Sequence, residues 1–305
     1  MQWRKHVASV DVCFMGSQTI IVTGASSGIG EAVARRLAKS TKINANIIVF
    51  ARRAERLAAL CTQIDPAGAR TLAIAGDVTV AADRERLVRA TIERFGRIDA
   101  LVNNAGYGQR GPIERIPLEA LRANFETNVF SLVALTQIIA PVMRAQARLG
   151  KDGSGRDGGR IINIGSVAGR ITRPMSAAYD STKFALEGIT DGLRGELRPF
   201  GIDVVLVRPG FIRTEFGQVA ESASEQVITN AGPYAPYTGD FQVKRAKFRR
   251  LAGVPDDIAR LVEKALAARH PRKHYNGPFH AKFFLFLKWL LPVSWMDWVL
   301  RMKKA

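Results

Sequence analysis

The stretch YDSTKFAL at 179–186 places a tyrosine and a lysine four residues apart. On a helix these positions share one face, so the Tyr179 phenol and the Lys183 ammonium become neighbours. A phenol works as an acid/base only if its pKa falls toward the working pH. A free tyrosine titrates near 10, and bringing it near 7 takes about 4 kcal/mol of differential stabilisation of the phenolate. A cation held close by, in a site that excludes water, supplies much of that. Such a pair suits a reaction in which a group must gain or lose a proton near neutral pH. Taken alone the pair is also compatible with chance, because lysine is common.

A second pattern, TGASSGIG at 23–30, is built to approach phosphate. Gly24 permits a tight turn, Gly28 lets the backbone come close to a pyrophosphate, and Gly30 allows close helix packing. The helix that follows points its N–H groups and positive dipole end at the same place. Ser26, Ser27 and Ile29 complete this candidate dinucleotide turn. Further on, the second predicted strand ends in Ala51-Arg52-Arg53. A fold that prefers NAD usually has a carboxylate there for the ribose 2′-hydroxyl. Arginine instead offers a planar fork for a phosphate, so NADP(H) is expected over NAD(H), with Arg52 as the ligand. The plain reading of these arginines is a solvated helix start.

The elements that would position these residues alternate along the chain. Apolar runs at Thr19–Thr23, Asn46–Ala51, Thr71–Ala75, Ile98–Asn103, Arg160–Ile164 and Asp203–Val207 read as buried strands. Between them, Ile29–Lys39, Ala54–Gln63, Asp83–Phe95, Leu118–Met143 and Ala177–Pro199 read as helices. Continuous apolar strands alternating with helices predict an α/β fold: a doubly wound, Rossmann-type parallel sheet covered on both faces. Gly150–Gly159 reads as a loop, and Pro255–Arg269 as a helix with Asp256 and Asp257 in its first turn. The expected organisation is an extension at 1–17, one domain over 18–278, and a helical tail at 279–305.

Composition narrows the classes. With two cysteines, Cys13 and Cys61, and four scattered histidines there is no disulfide framework and no zinc site, which suits a reducing compartment. No signal-peptide core and no run of eighteen apolar residues is evident, so a cytoplasmic protein is expected. The first fourteen residues are expected to add little to the fold, and Met15 is an alternative start. The net charge is +18, and from Lys244 onward fifteen Lys/Arg face four Asp/Glu, so that quarter holds +11 of it. A basic surface suits nucleic acid, anionic lipid or acidic partners. No nucleic-acid motif accompanies it.

As a set, TGASSGIG, Asp77-Val78, NNAG at 103–106, Asn128, Ser166, the Tyr179–Lys183 pair and RPGFIRT at 208–214 resemble the short-chain dehydrogenase/reductase family in order and spacing. The likeness covers about residues 18–215, and it implies that Tyr179 is the catalytic acid/base. By the same resemblance Ser166 hydrogen-bonds the substrate oxygen, and Lys183 also holds the nicotinamide ribose. Asn128 resembles the asparagine that locally distorts its helix and holds a water of the proton relay. Asp77 and Val78 resemble the adenine contact, and Asn104, Ala105 and Gly106 the ribose lining. Pro209, Gly210, Ile212 and Thr214 resemble the segment that orients the carboxamide. One departure stands out: many NADP-using members carry a basic residue where this chain has Ser27.

Past Thr214 the chain is individual, and residues 215–250 are expected to close over the substrate. The tail from Phe283 is apolar nearly all round as far as Leu291, and Pro292 breaks it. Trp295, Trp298, Val299 and Met302 then form a stripe. It packs on its own protein, lies on a membrane surface or meets a second subunit. The expected activity is an NADP(H)-dependent reductase or dehydrogenase of a lipophilic steroid, retinoid or acyl-like substrate. The alternatives are a 3-oxoacyl-carrier-protein-type reductase and a non-catalytic NADPH sensor, which has no need of a full proton relay.

Overall fold

The strands carry enough Ile, Val and Leu on both sides to be covered on both sides, and they are. In the computed structural model, which describes residues 17–147, 158–239, 243 and 251–301, seven strands form one parallel sheet. These are β1 (Gln18–Thr23), β2 (Ala45–Ala51), β3 (Thr71–Ala75), β4 (Ala100–Asn103), β5 (Gly159–Ile164), β6 (Ile202–Pro209) and β7 (His274–Gly277), ordered β3-β2-β1-β4-β5-β6-β7. The helices of eight or more residues bounded within the described residues are α1 (Gly28–Ala38), α2 (Ala54–Ile64), α3 (Ala81–Phe95), α4 (Leu118–Phe125), α5 (Ser131–Ala147), α6 (Ala177–Leu197), α7 (Phe216–Thr229), α8 (Pro255–Ala267), α9 (Phe279–Leu290) and α10 (Val293–Leu300).

The period of two along the strands divides the core. Ile20 and Val22 of β1, with Ile47 and Val49 of β2, pack under α1, α2 and α8 against Val33, Leu57, Ile258 and Val262. Ile21, Ile48 and Phe50 point the other way, onto Leu87 of α3 and Leu135, Ile139 and Met143 of α5. An ion cluster ties α1 to α8: Arg36 reaches Asp256 at 2.7 Å and Glu263 at 3.0 Å. Asp256, expected to serve its helix start, therefore also joins two distant segments.

The doubly wound architecture is as the alternation of elements predicts, with four local differences. β7 is a seventh strand; its sequence HYNG has no apolar run, and it is a strand because it pairs with β6 through residues 206–209. α7 lies where the sequence suggested only a covering segment. The expected helix Leu118–Met143 is α4 and α5 joined by a π-helical turn, Glu126–Phe130. The strand expected from Ile98 begins at Ala100. The expected loop at 150–159 lies outside the described residues up to 157, and Gly159 already opens β5. The basic run at 244–250, Met302 and residues 1–16 also lie outside them.

One helical run, Leu118–Gln146, is long and apolar enough to cross a membrane by length and composition. Half of its most apolar window is buried inside the fold, as befits a core helix.

Candidate active site

β1 and β4 are neighbours, yet the chain leaves β1 toward β2 on one side and returns to β4 on the other. The carboxyl ends of strands at such a reversal leave a crevice, and the candidate residues gather there. Gly24 and Gly28 have φ of 63° and 61°, the left-handed region that glycine adopts freely. A Cβ on Gly30 would lie 2.4 Å from the Gly24 carbonyl oxygen and 2.6 Å from Asn104 Nδ2. Only glycine fits there, so the turn sits flush on the segment after β4. Thr23 fixes that segment: its Oγ1 accepts from the N–H groups of Asn104 (3.0 Å) and Ala105 (3.1 Å), while Asn104 Nδ2 donates to Thr23 O at 2.9 Å.

Around this cradle lie the other candidate coenzyme positions. Ser26 and Ser27 are in the turn, and Ile29 opens α1. Asp77 follows β3 and accepts from the Thr79 N–H (2.9 Å) and hydroxyl (2.7 Å), beside buried Val78. Thr214 lies against Gly28, with its methyl 3.1 Å from where a Cβ would be. Pro209 ends β6, Gly210 donates its N–H to Gly277 O at 2.8 Å, and Ile212 bridges to Gly253. This glycine-lined crevice at a helix start fits a dinucleotide.

The arginines sort differently from the sequence expectation. Arg52 is 78% exposed and 4.0 Å from Asp77. Arg53 is the one that reaches the turn, donating to Ser26 Oγ (3.0 Å) and Ser27 Oγ (2.8 Å). Glu215, just before α7, pairs with Arg53 at 2.9 Å and with Arg56 at 2.7 Å.

Tyr179 and Lys183 both lie on the buried face of α6, 7% and 6% exposed. The residue that leads into this helix segment, Met175, holds a φ of 62°, strained for a side chain with a Cβ. Its carbonyl accepts from Gly111 N–H at 2.9 Å, which fixes the loop after β4 to the start of α6. Ser166 caps the short 3-10 turn Val167–Gly169, accepting from Ala168 N–H at 3.1 Å, and its side chain hydrogen-bonds Tyr179. Asn128 sits in the π-helical turn, 1% exposed. Its Oδ1 accepts from Tyr107 N–H (2.9 Å), and its Nδ2 donates to Tyr107 O (2.9 Å) and Thr182 Oγ1 (3.0 Å). Asn128 thus clamps the segment after β4 to the helix that carries Tyr179. A Cβ on Gly106 would lie 2.8 Å from its Oδ1.

The electrostatics differ from the simple pair. Lys183 Nζ donates to Ile164 O at 2.9 Å and lies 5.9 Å from the centre of the Tyr179 ring. Burial lowers its pKa to about 8. Burial also raises the Tyr179 phenol above its ordinary value; Arg110, Arg173 and the Ser166 hydrogen bond pull it back down. Arg110 stands 5.1 Å from the ring centre and donates to Ser176 Oγ at 2.8 Å. Arg173 is held by the fully buried Asp180 at 2.7 Å. Behind the site, Glu187 and Arg208 form a buried fork of 2.6 and 2.5 Å just before Pro209.

Sequence reasoning named Arg53 only beside its choice of Arg52, and it missed Arg110, Thr182, and the Glu187–Arg208 pair. Glu187 alone carried a signal, being one turn after Lys183 on the same face. The others act across gaps such as the 54 residues between Asn128 and Thr182, which no local pattern reveals.

The arrangement can hold a proton at the Tyr179 oxygen and present it, with the Ser166 hydroxyl, to one substrate oxygen. A bound nicotinamide coenzyme supplies the hydride chemistry. The family model for short chain dehydrogenase matches residues 18–225. The chain is 37% identical over 280 residues to an NADPH-dependent 3-dehydrocapnine reductase from Ornithobacterium rhinotracheale, covering 91% of this chain and 94% of that one. It is 30% identical to retinol dehydrogenase 8 of Bos taurus, covering 83% and 79%. A short chain dehydrogenase/reductase from Burkholderia phymatum, solved in complex with NAD, superposes with a TM-score of 0.74 at 25% identity, covering 95% and 96%. With its crevice, its proton-carrying tyrosine and these relatives in agreement, the chain belongs to the short-chain dehydrogenase/reductase family, oxidoreductases that act on alcohol and carbonyl groups.

Proposed function

We propose that the protein uses NADP(H) to interconvert a carbonyl and an alcohol on a lipophilic substrate such as a steroid, a retinoid or a long-chain acyl compound. The observation that carries this reading is the aromatic wall over the reacting phenol. Phe216, first residue of α7, meets the Tyr179 ring edge-on at 5.4 Å. The same helix lies on the loop after β4, where a Cβ on Gly108 would touch Phe216 and Ala220. An apolar substrate laid against this ring surface exchanges water for it at about 25 cal/mol per Å². For the coenzyme, Arg53 on the serine hydroxyls of the turn, with Arg52 and Arg56 nearby and no carboxylate at the end of β2, supports a 2′-phosphate. The NADPH dependence of the dehydrocapnine reductase points the same way, while the Burkholderia relative binds NAD.

The test is turnover of hydrophobic ketones and aldehydes with NADPH and with NADH, using Tyr179→Phe as the control. Arg53→Ala is expected to cost NADPH efficiency about ten- to hundredfold, a charge-assisted hydrogen bond of about 1.5–3 kcal/mol, and to spare NADH. Arg52→Ala separates the contributions of the two arginines. Equal or better turnover of the parent protein with NADH sinks the coenzyme assignment. The net charge of +18 favours one second reading, reduction of a 3-oxoacyl group on an acidic carrier protein. Faster turnover of carrier-bound than of free acyl substrates selects it.

A further inference from the structure

Past β7 the chain turns apolar residues outward. In α9, Phe279, Phe283, Phe286 and Leu290 recur at steps of four, three and four, which is one helical stripe, and all are exposed. Trp289 beside them is 79% exposed. In α10, Trp295 and Trp298 are 64% and 65% exposed, and only Met296 is buried. The part of the α10 stripe that is described, Trp295, Trp298 and Val299, therefore faces water, which among the three readings of the tail disfavours packing on its own protein. The six Phe and Trp side chains of this surface together present on the order of 700 Å² of apolar area. Monomeric soluble proteins rarely leave that much in one patch without a use.

The opposite side of α9 is seated on the active-site rim. His280 Nε2 accepts the N–H of Phe211 at 2.8 Å, and burial keeps that imidazole below its ordinary pKa, in the neutral form that accepts. Phe211 also meets Phe284 at 6.2 Å. Phe211 follows Gly210 in the segment beside the crevice, so whatever covers the outer stripe lies one helix thickness from the cleft.

We propose that α9 and α10 form a docking surface for an anionic lipid bilayer. Charge selects this occupant. Residues 279–305 hold Lys282, Lys288, Arg301, Lys303 and Lys304 against the single carboxylate of Asp297. A second copy docked through the same face would set like charges against each other, whereas anionic headgroups neutralise them. Three tryptophans and three phenylalanines among lysines make the composition of a helix that lies in the interface. Twelve residues in α9, about 18 Å of helix, fall short of the ~30 Å hydrocarbon core, so the surface rests on the membrane and does not cross it. The inference stands apart from the identity of the substrate.

The experiment is flotation of the full chain with vesicles of phosphatidylcholine alone and with about one-third phosphatidylglycerol, at about 0.1 M and 1 M salt. Three of the four tryptophans, Trp289, Trp295 and Trp298, lie in this surface, so emission should shift to the blue on binding. Binding is expected to the anionic vesicles, to weaken at high salt, and to fall about tenfold or more in the triple variant Trp289→Ser, Trp295→Ser, Trp298→Ser. That variant should keep its melting temperature and its turnover of a water-soluble carbonyl. No preference for anionic vesicles, or a parent whose particle mass halves in the triple variant, overturns the proposal; the second result assigns the face to a second copy.

Discussion

Replacing Asn128 with alanine tests whether the π-helical turn is a clamp. The side chain makes three hydrogen bonds, and the partners fare differently without it. Tyr107 O keeps its bond from Asn124 Nδ2 at 3.0 Å, and the Thr182 hydroxyl keeps its bond to Tyr179 O at 2.7 Å. Each of those two losses costs about 1 kcal/mol. The Tyr107 N–H loses its Asn128 acceptor in a partly buried place, which costs about 2 kcal/mol more. Asn128→Ala should therefore lower stability by about 4 kcal/mol, a large share of the ~5–15 kcal/mol typical of a domain. Urea unfolding followed by far-UV circular dichroism measures it; tryptophan emission would report mainly on α9 and α10. Thr182→Val completes a double-mutant cycle, and coupling well beyond the ~0.5 kcal/mol of independent sites is expected. A loss under about 1 kcal/mol at unchanged m-value, or strictly additive effects, would refute the clamp.

Lys183→Met should flatten the alkaline stability profile of the coenzyme-free protein. With the folded amine at about 8 against an ordinary 10.5, the unfolded chain binds the extra proton between those values, so parent stability rises with pH across that window, by on the order of 3 kcal/mol; urea midpoints at pH 7.5 and 10 compare the two proteins. Arg110→Met removes the cation that most lowers Tyr179, so the limb of kcat/KM that this phenol governs, the alkaline limb for reduction and the acid limb for oxidation, should move to higher pH. A limb that stays or moves down counts against Arg110. Gly30→Ala forces a Cβ against the Gly24 carbonyl, and should cost about 1–3 kcal/mol of stability together with coenzyme affinity, read by thermal melts with and without NADPH.

Six of the seven strands, the glycine turn and the shared face of Tyr179 and Lys183 were legible in the sequence, because each rests on local rules. Buried strands show as apolar runs such as TIIVT and NIIVFA, the turn needs glycine at Gly24, Gly28 and Gly30, and Tyr179 and Lys183 share a face through helical period alone. Features that depend on contacts between distant segments emerge only in the fold. β7 is a strand because β6 offers it an edge, and HYNG has no pattern of its own. Arg53 reaches the turn in place of Arg52 because α2 starts at Ala54 and aims that one side chain back across the serines. Arg110, not Lys183, is the cation that most lowers the Tyr179 phenol, since the loop after β4 folds over a ring 69 residues away in sequence. The outward face of α10 is likewise a matter of packing. A stripe of tryptophan and valine shows that a helix has an apolar side, and only the surrounding chain determines whether that side meets protein or solvent.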